Sequence, residues 1–224
     1  MSTYLITGAN RGIGLAMAKQ LAGRRDIVLG TARDPSAATE ALEVGVEMLE
    51  LDVSDPESVA GLAGQVGDRP IDVLINNAAI YIDKAGLDGT DIEKFNECMC
   101  VNVAGPLAVT QALLPRLEAG GKQMVVNISS GMGSIAETRN GGSYGYRASK
   151  AALNMITKVM SVELAPKGIG AVCFHPGWVE TDMGGKGADL SPADSANHLI
   201  TVIDGLTAAD SGRFLNFTGE DLPW

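Results

Sequence analysis

Short, nearly continuous apolar runs alternate with segments of helical spacing along most of the 224-residue chain. A strand that is apolar on both sides is typical of a parallel sheet, because helices then cover both of its faces. The sequence therefore predicts an α/β fold, a single doubly wound domain over residues 1–224 with about seven parallel strands and helices on both faces. The predicted strands are Thr3–Thr7, Asp26–Thr31, Val46–Leu51, Ile71–Ile75, Gln123–Ile128, Ile169–Phe174 and Phe214–Phe217.

The segments between these runs carry helix signals, namely apolar side chains three and four residues apart, proline in first turns and polar N-cap residues. In doubly wound sheets of this Rossmann type, ligands bind beyond the carboxyl ends of the strands. The loops after strands one, two, four, five and six are therefore expected to carry the function. Helices are predicted at residues 12–22, after Pro35, from the N-cap Ser54 to about Val66, at about 91–103 and 105–119, and up to about Leu164.

Composition narrows the class of function. The net charge of −10 argues against binding to nucleic-acid phosphates, and 46 % hydrophobic residues suffice for a core. Three cysteines without a C-x-x-C pair and only two histidines offer no metal site, and free thiols suit a reducing cytosol. No apolar run approaches the length of a membrane span, and the N-terminus has no basic leader. We therefore expect a cytoplasmic protein with no nucleic-acid or membrane partner.

A glycine-rich loop, TGANRGIG, joins the first strand to the first helix and places glycine at Gly8, Gly12 and Gly14. Glycines here permit a tight turn and let the backbone approach a pyrophosphate at the positive end of the helix dipole. A purely structural turn is the alternative. The position between a strand and a helix favours dinucleotide binding.

Tyr146 and Lys150 lie four residues apart near the start of the last long predicted helix, so they share one face. An ammonium beside a phenol stabilises the phenolate, and we therefore expect Lys150 to lower the pKa of Tyr146. Spacing alone does not establish function, because such pairs also arise by chance. Tyr144 has no such neighbour, since Ala148 lies four residues on.

Three motifs together resemble the short-chain dehydrogenase/reductase family: TGANRGIG, the segment Asn76–Ala79 after strand four, and Tyr146-x-x-x-Lys150. Their order and separations match over essentially the whole chain, and the length is similar to that of the compact branch. The ending GRFLNFTGEDLPW resembles carbonyl-reductase and C-signal-type members.

The resemblance implies a cofactor site along the strand ends. The glycine loop would form the pyrophosphate turn, Asp52 and Val53 would hold the adenine, and the segment from Asn77 would line the adenosine ribose. The family often has glycine where Ala79 stands, which is a mild departure. The loop after strand six matches the family's P-G-x-x-x-T pattern for the nicotinamide amide. The implied cofactor residues are Gly8, Asn10, Arg11, Gly12, Ile13, Gly14, Arg33, Asp52, Val53, Asn77, Ala78, Ala79, Tyr146, Lys150, Pro176, Gly177, Val179 and Thr181.

Charge at the end of strand two favours NADP(H) over NAD(H). Relatives that prefer NAD usually have a carboxylate there, whereas this chain reads Gly30-Thr31-Ala32-Arg33. Arg33 can hold a 2′-phosphate, with Arg11 of the glycine loop on the other side. Both arginines as solvated surface residues are the alternative, and Asp34 weakens the local field.

The resemblance also implies the catalytic residues. Tyr146 would act as general acid and base, and Ser130 would stabilise the oxyanion, with Ser129 left as a structural serine. Lys150 would lower the tyrosine pKa and hold the ribose, and Asn102 would position a relay water. The expected reaction is transfer of a hydride between the nicotinamide and an aldehyde, ketone or alcohol.

Substrate and assembly are less determined by the sequence. Tyr81 and Trp178 suggest an apolar carbonyl substrate, and a glycine-rich segment at 184–187 suggests a mobile lid. The intact catalytic set argues against a non-catalytic NAD(P)-binding sensor or signalling protein, and the glycine spacing against a nucleotide-sugar epimerase or dehydratase. Homodimers or homotetramers built on residues 104–119 and 144–165 are common in the family, although some compact members are monomers.

Overall fold

The computed structural model describes residues 1–224, and seven strands form one parallel sheet in the order three, two, one, four, five, six, seven. The chain starts in the centre of the sheet, winds to one edge and crosses back to build the other half, which confirms the predicted doubly wound fold. Ligands bind where this order reverses, beside the first and fourth strands. The strands are β1 (Thr3–Ile6), β2 (Ile27–Ala32), β3 (Glu47–Glu50), β4 (Val73–Asn76), β5 (Met124–Ile128), β6 (Gly170–His175) and β7 (Phe214–Asn216).

Both faces of the sheet are buried, which explains the continuous apolar runs. Ile6 and Val126 pack on the side of two helices, whereas their neighbours Leu5 and Val125 pack on the side of three others. Successive side chains of a strand point to opposite faces, so a strand between two helical layers has apolar residues at every position. The first side carries α1 (Gly12–Gly23) and α7 (Pro192–Gly205), and the second carries α3 (Pro56–Val66), α5 (Gly105–Glu118) and α6 (Tyr144–Glu163).

The two shorter α-helices are α2 (Thr39–Glu43) and α4 (Ile92–Met99). A π-helical turn over Cys100–Ala104 joins α4 to α5, so a continuous helix runs over Ile92–Glu118 where the sequence predicts two helices. The sequence predicts no segment long enough to span a membrane, whereas this continuous helix could span one by its length and composition alone. In the fold its Leu113 and Leu117 side chains are fully buried against the sheet, as in a core helix.

Helix α7 is absent from the sequence prediction. Its start carries a cap that the sequence does contain: the Ser191 hydroxyl accepts a hydrogen bond from the Asp194 N–H at 3.1 Å, and Pro192 occupies the first turn. Leu199 and Ile203 of α7 are fully buried against the sheet. The serine–proline start and this apolar spacing were the available signals.

The N-cap of α3 also differs from the prediction. Asp55 caps the helix by accepting from the Glu57 N–H at 2.9 Å. Ser54 was the predicted cap, but its hydroxyl donates instead to the Asp52 carboxylate at 2.6 Å. The strand and helix limits otherwise agree with the prediction to within a few residues, except around the π turn and α7.

Candidate active site

The glycine loop leaves no room for side chains where it meets α1. Gly8 and Gly12 have φ angles of +67° and +57°, in the left-handed region that favours glycine. A Cβ on Gly14 would lie 2.3 Å from the Gly8 carbonyl oxygen and 2.5 Å from Asn77 Nδ2. The backbone is therefore bare at the N-terminus of α1, and this cradle fits a pyrophosphate group.

Residues after β4 lock this loop to the centre of the sheet. The Thr7 hydroxyl accepts from the N–H groups of Asn77 and Ala78, both at 2.9 Å. The Asn77 amide in turn donates to the carbonyl oxygens of Thr7 and Gly8, at 2.9 and 3.2 Å. The structure thus brings the predicted cofactor residues of β1 and β4 together, with Ala78 and Ala79 partly exposed beside them.

The ends of β2 and β3 place Arg33 and Asp52 near one another. Arg33 is exposed, and its charge contributes, after hydrogen bonds from Ser54, to a lowered pKa of the Asp52 carboxyl. The Asp34 carboxylate accepts from the N–H and hydroxyl of Ser36, at 3.0 and 2.6 Å. Asp34 is therefore occupied locally, and the Arg33 guanidinium has no carboxylate partner within ion-pair distance.

Arg11 is held elsewhere than predicted. Its guanidinium forms an exposed ion pair with Asp182 at 3.0 Å, across the cleft from the glycine loop to the loop after β6. Thr181 of that loop faces Gly12, where a Cβ would lie 3.4 Å from the threonine Cγ2. Its hydroxyl accepts from the Gly184 N–H, so it holds the turn of its own loop. The predicted pairing of Arg11 with Arg33 around one phosphate is therefore not preformed.

Buried contacts hold the rest of the loop after β6 in place. Val179 is buried and forms an isolated bridge with Leu190. The carbonyl oxygen of Pro176 accepts from the buried Ser195 hydroxyl at 2.7 Å. Gly177 has a φ angle of +87° and turns the chain out of the strand. All four predicted residues of this loop therefore lie at the carboxyl edge of the sheet.

Tyr146 and Lys150 occupy one face of α6, as predicted, and both are buried, with exposures of 7 % and 2 %. The Lys150 ammonium lies 5.6 Å from the centroid of the Tyr146 ring and donates to the Ile128 carbonyl oxygen at 2.9 Å. This bond ties the helix to the end of β5. Two further ammonium hydrogens remain for other acceptors.

The direction of the tyrosine shift contradicts the sequence prediction. Burial raises the pKa of Tyr146 to about 12, and the Ser130 hydroxyl opposes this only in part. Burial also lowers the pKa of Lys150 to about 8. Desolvation disfavours both charged forms, and it is the largest influence on the pKa of each group. Tyr146 consequently keeps its proton at neutral pH.

The two serines after β5 have different partners. Ser129 donates to the buried Asn154 side chain at 2.6 Å, which is a structural contact. The Ser130 oxygen accepts from the Met132 N–H at 3.1 Å, and Ser130 is the residue whose hydroxyl acts on the Tyr146 phenol. Because the accepted bond uses a lone pair, the Ser130 O–H stays available as a donor toward Tyr146 or a ligand.

The sequence predicts that Asn102 positions a water, whereas in the structure its side chain forms hydrogen bonds with other protein groups. It lies fully buried in the π turn, where its amide accepts from the Ile80 N–H at 2.8 Å and donates to the Ile80 carbonyl at 2.9 Å. It also donates to the Ser149 hydroxyl at 3.0 Å. The π turn directs this side chain at the loop after β4 and at α6, so Asn102 joins three elements of the site.

A chain of buried hydrogen bonds runs beneath the site. The Asn76 side-chain amide donates to the Thr110 hydroxyl at 3.2 Å and to the side-chain amide oxygen of Asn127, Oδ1, at 2.8 Å. Asn127 donates onward to the Thr157 hydroxyl at 2.8 Å. The chain links α5, β4, β5 and α6, while the other oxygen of the network, Asn76 Oδ1, has no protein partner. Buried polar groups that are paired in this way fix the relative positions of their elements.

Two residues of the site have contacts that the sequence does not predict. The Tyr81 ring is stacked on Tyr146 with centroids 4.4 Å apart, and its hydroxyl lies 2.7 Å from that of Ser143. From the sequence, Tyr81 is assigned only to the substrate side of the site, and Ser143 is assigned no role. No sequence signal marks this pair, because they lie 62 residues apart and Ser143 adopts a left-handed conformation.

With this geometry in place, comparisons with known proteins identify the class. Residues 2–189 match the family described as "short chain dehydrogenase". The C-signal protein of Myxococcus xanthus is 46 % identical over 162 residues, which are 72 % of this chain and 98 % of that protein.

Solved structures agree with this match. The carbonyl reductase Sniffer of D. melanogaster has a TM-score of 0.93 at 34 % identity, with 100 % of both chains covered. The NADPH-bound carbonyl reductase from chicken fatty liver has a TM-score of 0.91 at 33 % identity, covering 100 % of this chain and 99 % of that one. The chain therefore belongs to the short-chain dehydrogenase family. Within it, the protein is an oxidoreductase that resembles the carbonyl-reductase and C-signal members, as the sequence motifs predict.

The contacts of Asn102 predict a structural effect. We expect Asn102→Ala to lower the free energy of unfolding by about 3 kcal/mol, because it leaves the partly buried Ile80 N–H and carbonyl and the buried Ser149 hydroxyl without this partner. Urea denaturation measures this. The matched control is Asn96→Ala on the exposed side of α4, expected to change stability by less than about 0.5 kcal/mol. Equal effects of the two substitutions would contradict this assignment.

The lowered pKa of Lys150 predicts a pH dependence of stability. Its pKa is about 8 in the folded protein and about 10.4 when unfolded, so the cost of burying the charge is complete below pH 8 and disappears as pH rises toward 10.4. Lys150→Met lacks this cost. We expect the variant to be more stable than the unliganded wild type by roughly 3 kcal/mol at pH 7, with the gap narrowing between pH 8 and 10. Denaturant titrations across that range measure the gap, and a gap that widens with pH would refute the shift.

Proposed function

We propose that the protein is an NADP(H)-dependent oxidoreductase that reduces aldehydes or ketones and catalyses the reverse oxidation of alcohols. The observation that carries this proposal is the buried, protonated Tyr146 between Ser130 and Lys150, at the same edge of the sheet as the bare glycine loop. A general acid acts only where the reacting oxygen can reach it. Tyr146 lies at the same strand ends as the glycine loop, which fits the pyrophosphate of a dinucleotide.

The loops at the carboxyl ends of the strands contain the residues that would hold the cofactor. The glycine loop would bind the pyrophosphate, Asp52 and Val53 the adenine, and Asn77 to Ala79 the adenosine ribose. The loop from Pro176 to Thr181 would bind the nicotinamide amide. Arg33 favours NADP(H), because its free guanidinium can form charge-assisted hydrogen bonds with a 2′-phosphate.

The chemistry divides between cofactor and protein. NADPH, when bound, would supply the hydride for the carbonyl carbon. Tyr146 donates its phenolic proton to the carbonyl oxygen, so that the C=O bond becomes an alcohol. Ser130 donates its free O–H to the same oxygen and stabilises the developing negative charge. The Lys150 ammonium then stabilises the phenolate left on Tyr146 until solvent returns a proton.

Asn102 would act in this mechanism by holding the loop after β4 rather than by a contact with Lys150. Its amide is occupied by Ile80 and Ser149. Ile80 immediately precedes Tyr81, whose ring touches the proposed acid. These contacts support an anchoring role for Asn102, and the relay of a proton through a water beside Lys150 remains part of the proposal.

Apolar side chains at the same edge support an apolar substrate. Ile82 and Leu87 follow β4, Ile135 follows β5 and Trp178 follows β6, and all are exposed at 39 % or more. The Trp178 indole donates to the Gly184 carbonyl at 2.9 Å, which ties this ring to the glycine-rich segment at 184–187. Exposed apolar groups around a cleft are typical of a site for an apolar ligand.

Removal of the phenol tests the acid. We expect Tyr146→Phe to lower turnover by at least about a hundredfold, within the range for loss of a general acid, with NADPH affinity unchanged. NADPH absorbance against a panel of aldehydes, ketones and quinones measures turnover, and NADPH fluorescence measures binding. Tyr144→Phe is the matched control on the same helix and should behave as wild type. Substantial turnover by Tyr146→Phe would exclude this assignment.

Cofactor preference is tested at Arg33. We expect Arg33→Ala to weaken NADPH binding by about tenfold and to leave NADH binding unchanged, because only NADPH carries the 2′-phosphate. Fluorescence titrations of both cofactors at low and high salt measure this. The control is Arg25→Ala, an exposed arginine between α1 and β2. An equal loss for both cofactors would argue against contact with the 2′-phosphate.

A further inference from the structure

Tyr81 touches the proposed proton donor but has no part in the mechanism above. Its ring lies on the Tyr146 ring at a centroid distance of 4.4 Å and an interplanar angle of 29°. The stack brings together the loop after β4 and the first turn of α6. Offset aromatic stacks have preferred orientations, so one ring restricts the plane of the other.

Ser143, whose hydroxyl contacts the hydroxyl of Tyr81, is unusual for its position in the helix. Ser143 is the N-cap residue of α6, and serine there normally accepts from a helix N–H. Here it makes no such bond, is buried, and has φ and ψ angles of 57° and 40°. Its hydroxyl lies 2.7 Å from the Tyr81 hydroxyl, and its N–H donates to the Ala85 carbonyl at 3.0 Å. Thus an uncommon backbone conformation directs a capping residue away from its helix and toward Tyr81.

Tyr146 needs such support, because it lies in the first turn of a helix whose N-cap side chain does not bond to the helix. The end of a helix without a side-chain cap is prone to fraying. The two ends of the stack carry cations, with Lys84 5.0 Å from the Tyr81 centroid and Lys150 5.6 Å from the Tyr146 centroid. The contacts that hold the phenol plane therefore come from the loop after β4 as well as from α6.

We infer that Tyr81 is a positioning residue for the proton donor: its ring sets the plane of the Tyr146 phenol, and the Ser143 hydroxyl fixes Tyr81. The inference rests on the proposed function, since it takes Tyr146 as the acid. A stacked ring that orients the phenol acts on the chemical step. It affects kcat for the carbonyl substrate far more than the affinity for NADPH.

A set of variants separates the ring from the hydroxyl. We expect Tyr81→Leu, which removes the stack, to lower kcat by at least about tenfold with KM changed less than about threefold. Tyr81→Phe keeps the ring and should restore most of this loss, within about fivefold of wild type. Ser143→Gly removes the same hydrogen bond while suiting the positive φ angle, and should match Tyr81→Phe.

The hydroxyl pair is tested as a double-mutant cycle. If the two hydroxyls act through each other, Tyr81→Phe combined with Ser143→Gly is no slower than either single variant. The steady-state rates use the panel substrate with the highest kcat/KM. NADPH-induced thermal stabilisation checks that each variant is folded and binds the cofactor. Tyr144→Phe, an exposed tyrosine beside this cluster, is the control expected to keep wild-type rates.

The outcomes distinguish this inference from the proposed function. Wild-type kcat in Tyr81→Leu, or a loss confined to KM, would overturn the positioning role, provided that Tyr146→Phe is inactive. Additive losses in the double variant would overturn the coupling through Ser143. Full turnover by Tyr146→Phe would instead overturn the proposed proton donor and with it the role of Tyr81.

Discussion

The site depends on the buried chain of hydrogen bonds from Thr110 through Asn76 and Asn127 to Thr157. Asn76 and Asn127 are paired neighbours near the ends of β4 and β5, so their amides can bond to each other and also reach α5 and α6 on the same face of the sheet. Moving either helix away would leave the amide hydrogens that bond to Thr110 and Thr157 unpaired, at the cost of their desolvation, which makes one arrangement of α5 and α6 strongly preferred. The face of α6 that carries the tyrosine and lysine is thereby set against the strand ends.

Burial then determines the chemistry available at neutral pH. It raises the pKa of Tyr146 and lowers that of Lys150, so the site resists both charged forms. A protonated phenol suits reduction, in which the acid gives its proton to a developing alkoxide. For alcohol oxidation the phenol must first ionise, and a cation beside it becomes essential.

Much of this site could be predicted because its signals are local. The glycine loop, the tyrosine and lysine four residues apart and the serine after β5 each lie within one turn or one helix. The predicted lowering of the Tyr146 pKa was wrong, because the burial of a side chain by other elements cannot be inferred from two residues four apart in the sequence. Helix α7 was missed although Ser191 and Pro192 mark its start. The partners of Asn102 and the Tyr81–Ser143 pair depend on a π turn and a left-handed serine, which sequence patterns do not reveal.

In the proposed function an acidic chain binds an anionic cofactor, and an arginine that is paired with a carboxylate would exchange it for a phosphate of the cofactor. Arg11 is already paired with Asp182, and Arg33 lies close enough to Asp52 to influence its pKa. Exposed ion pairs such as that of Arg11 contribute only about 0–1 kcal/mol, so a phosphate can replace the carboxylate at small cost. The same exchange would release Asp182 from the glycine loop. Of the two arginines, Arg33 has no ion pair to break, so in the proposed function it would carry more of a preference for the 2′-phosphate.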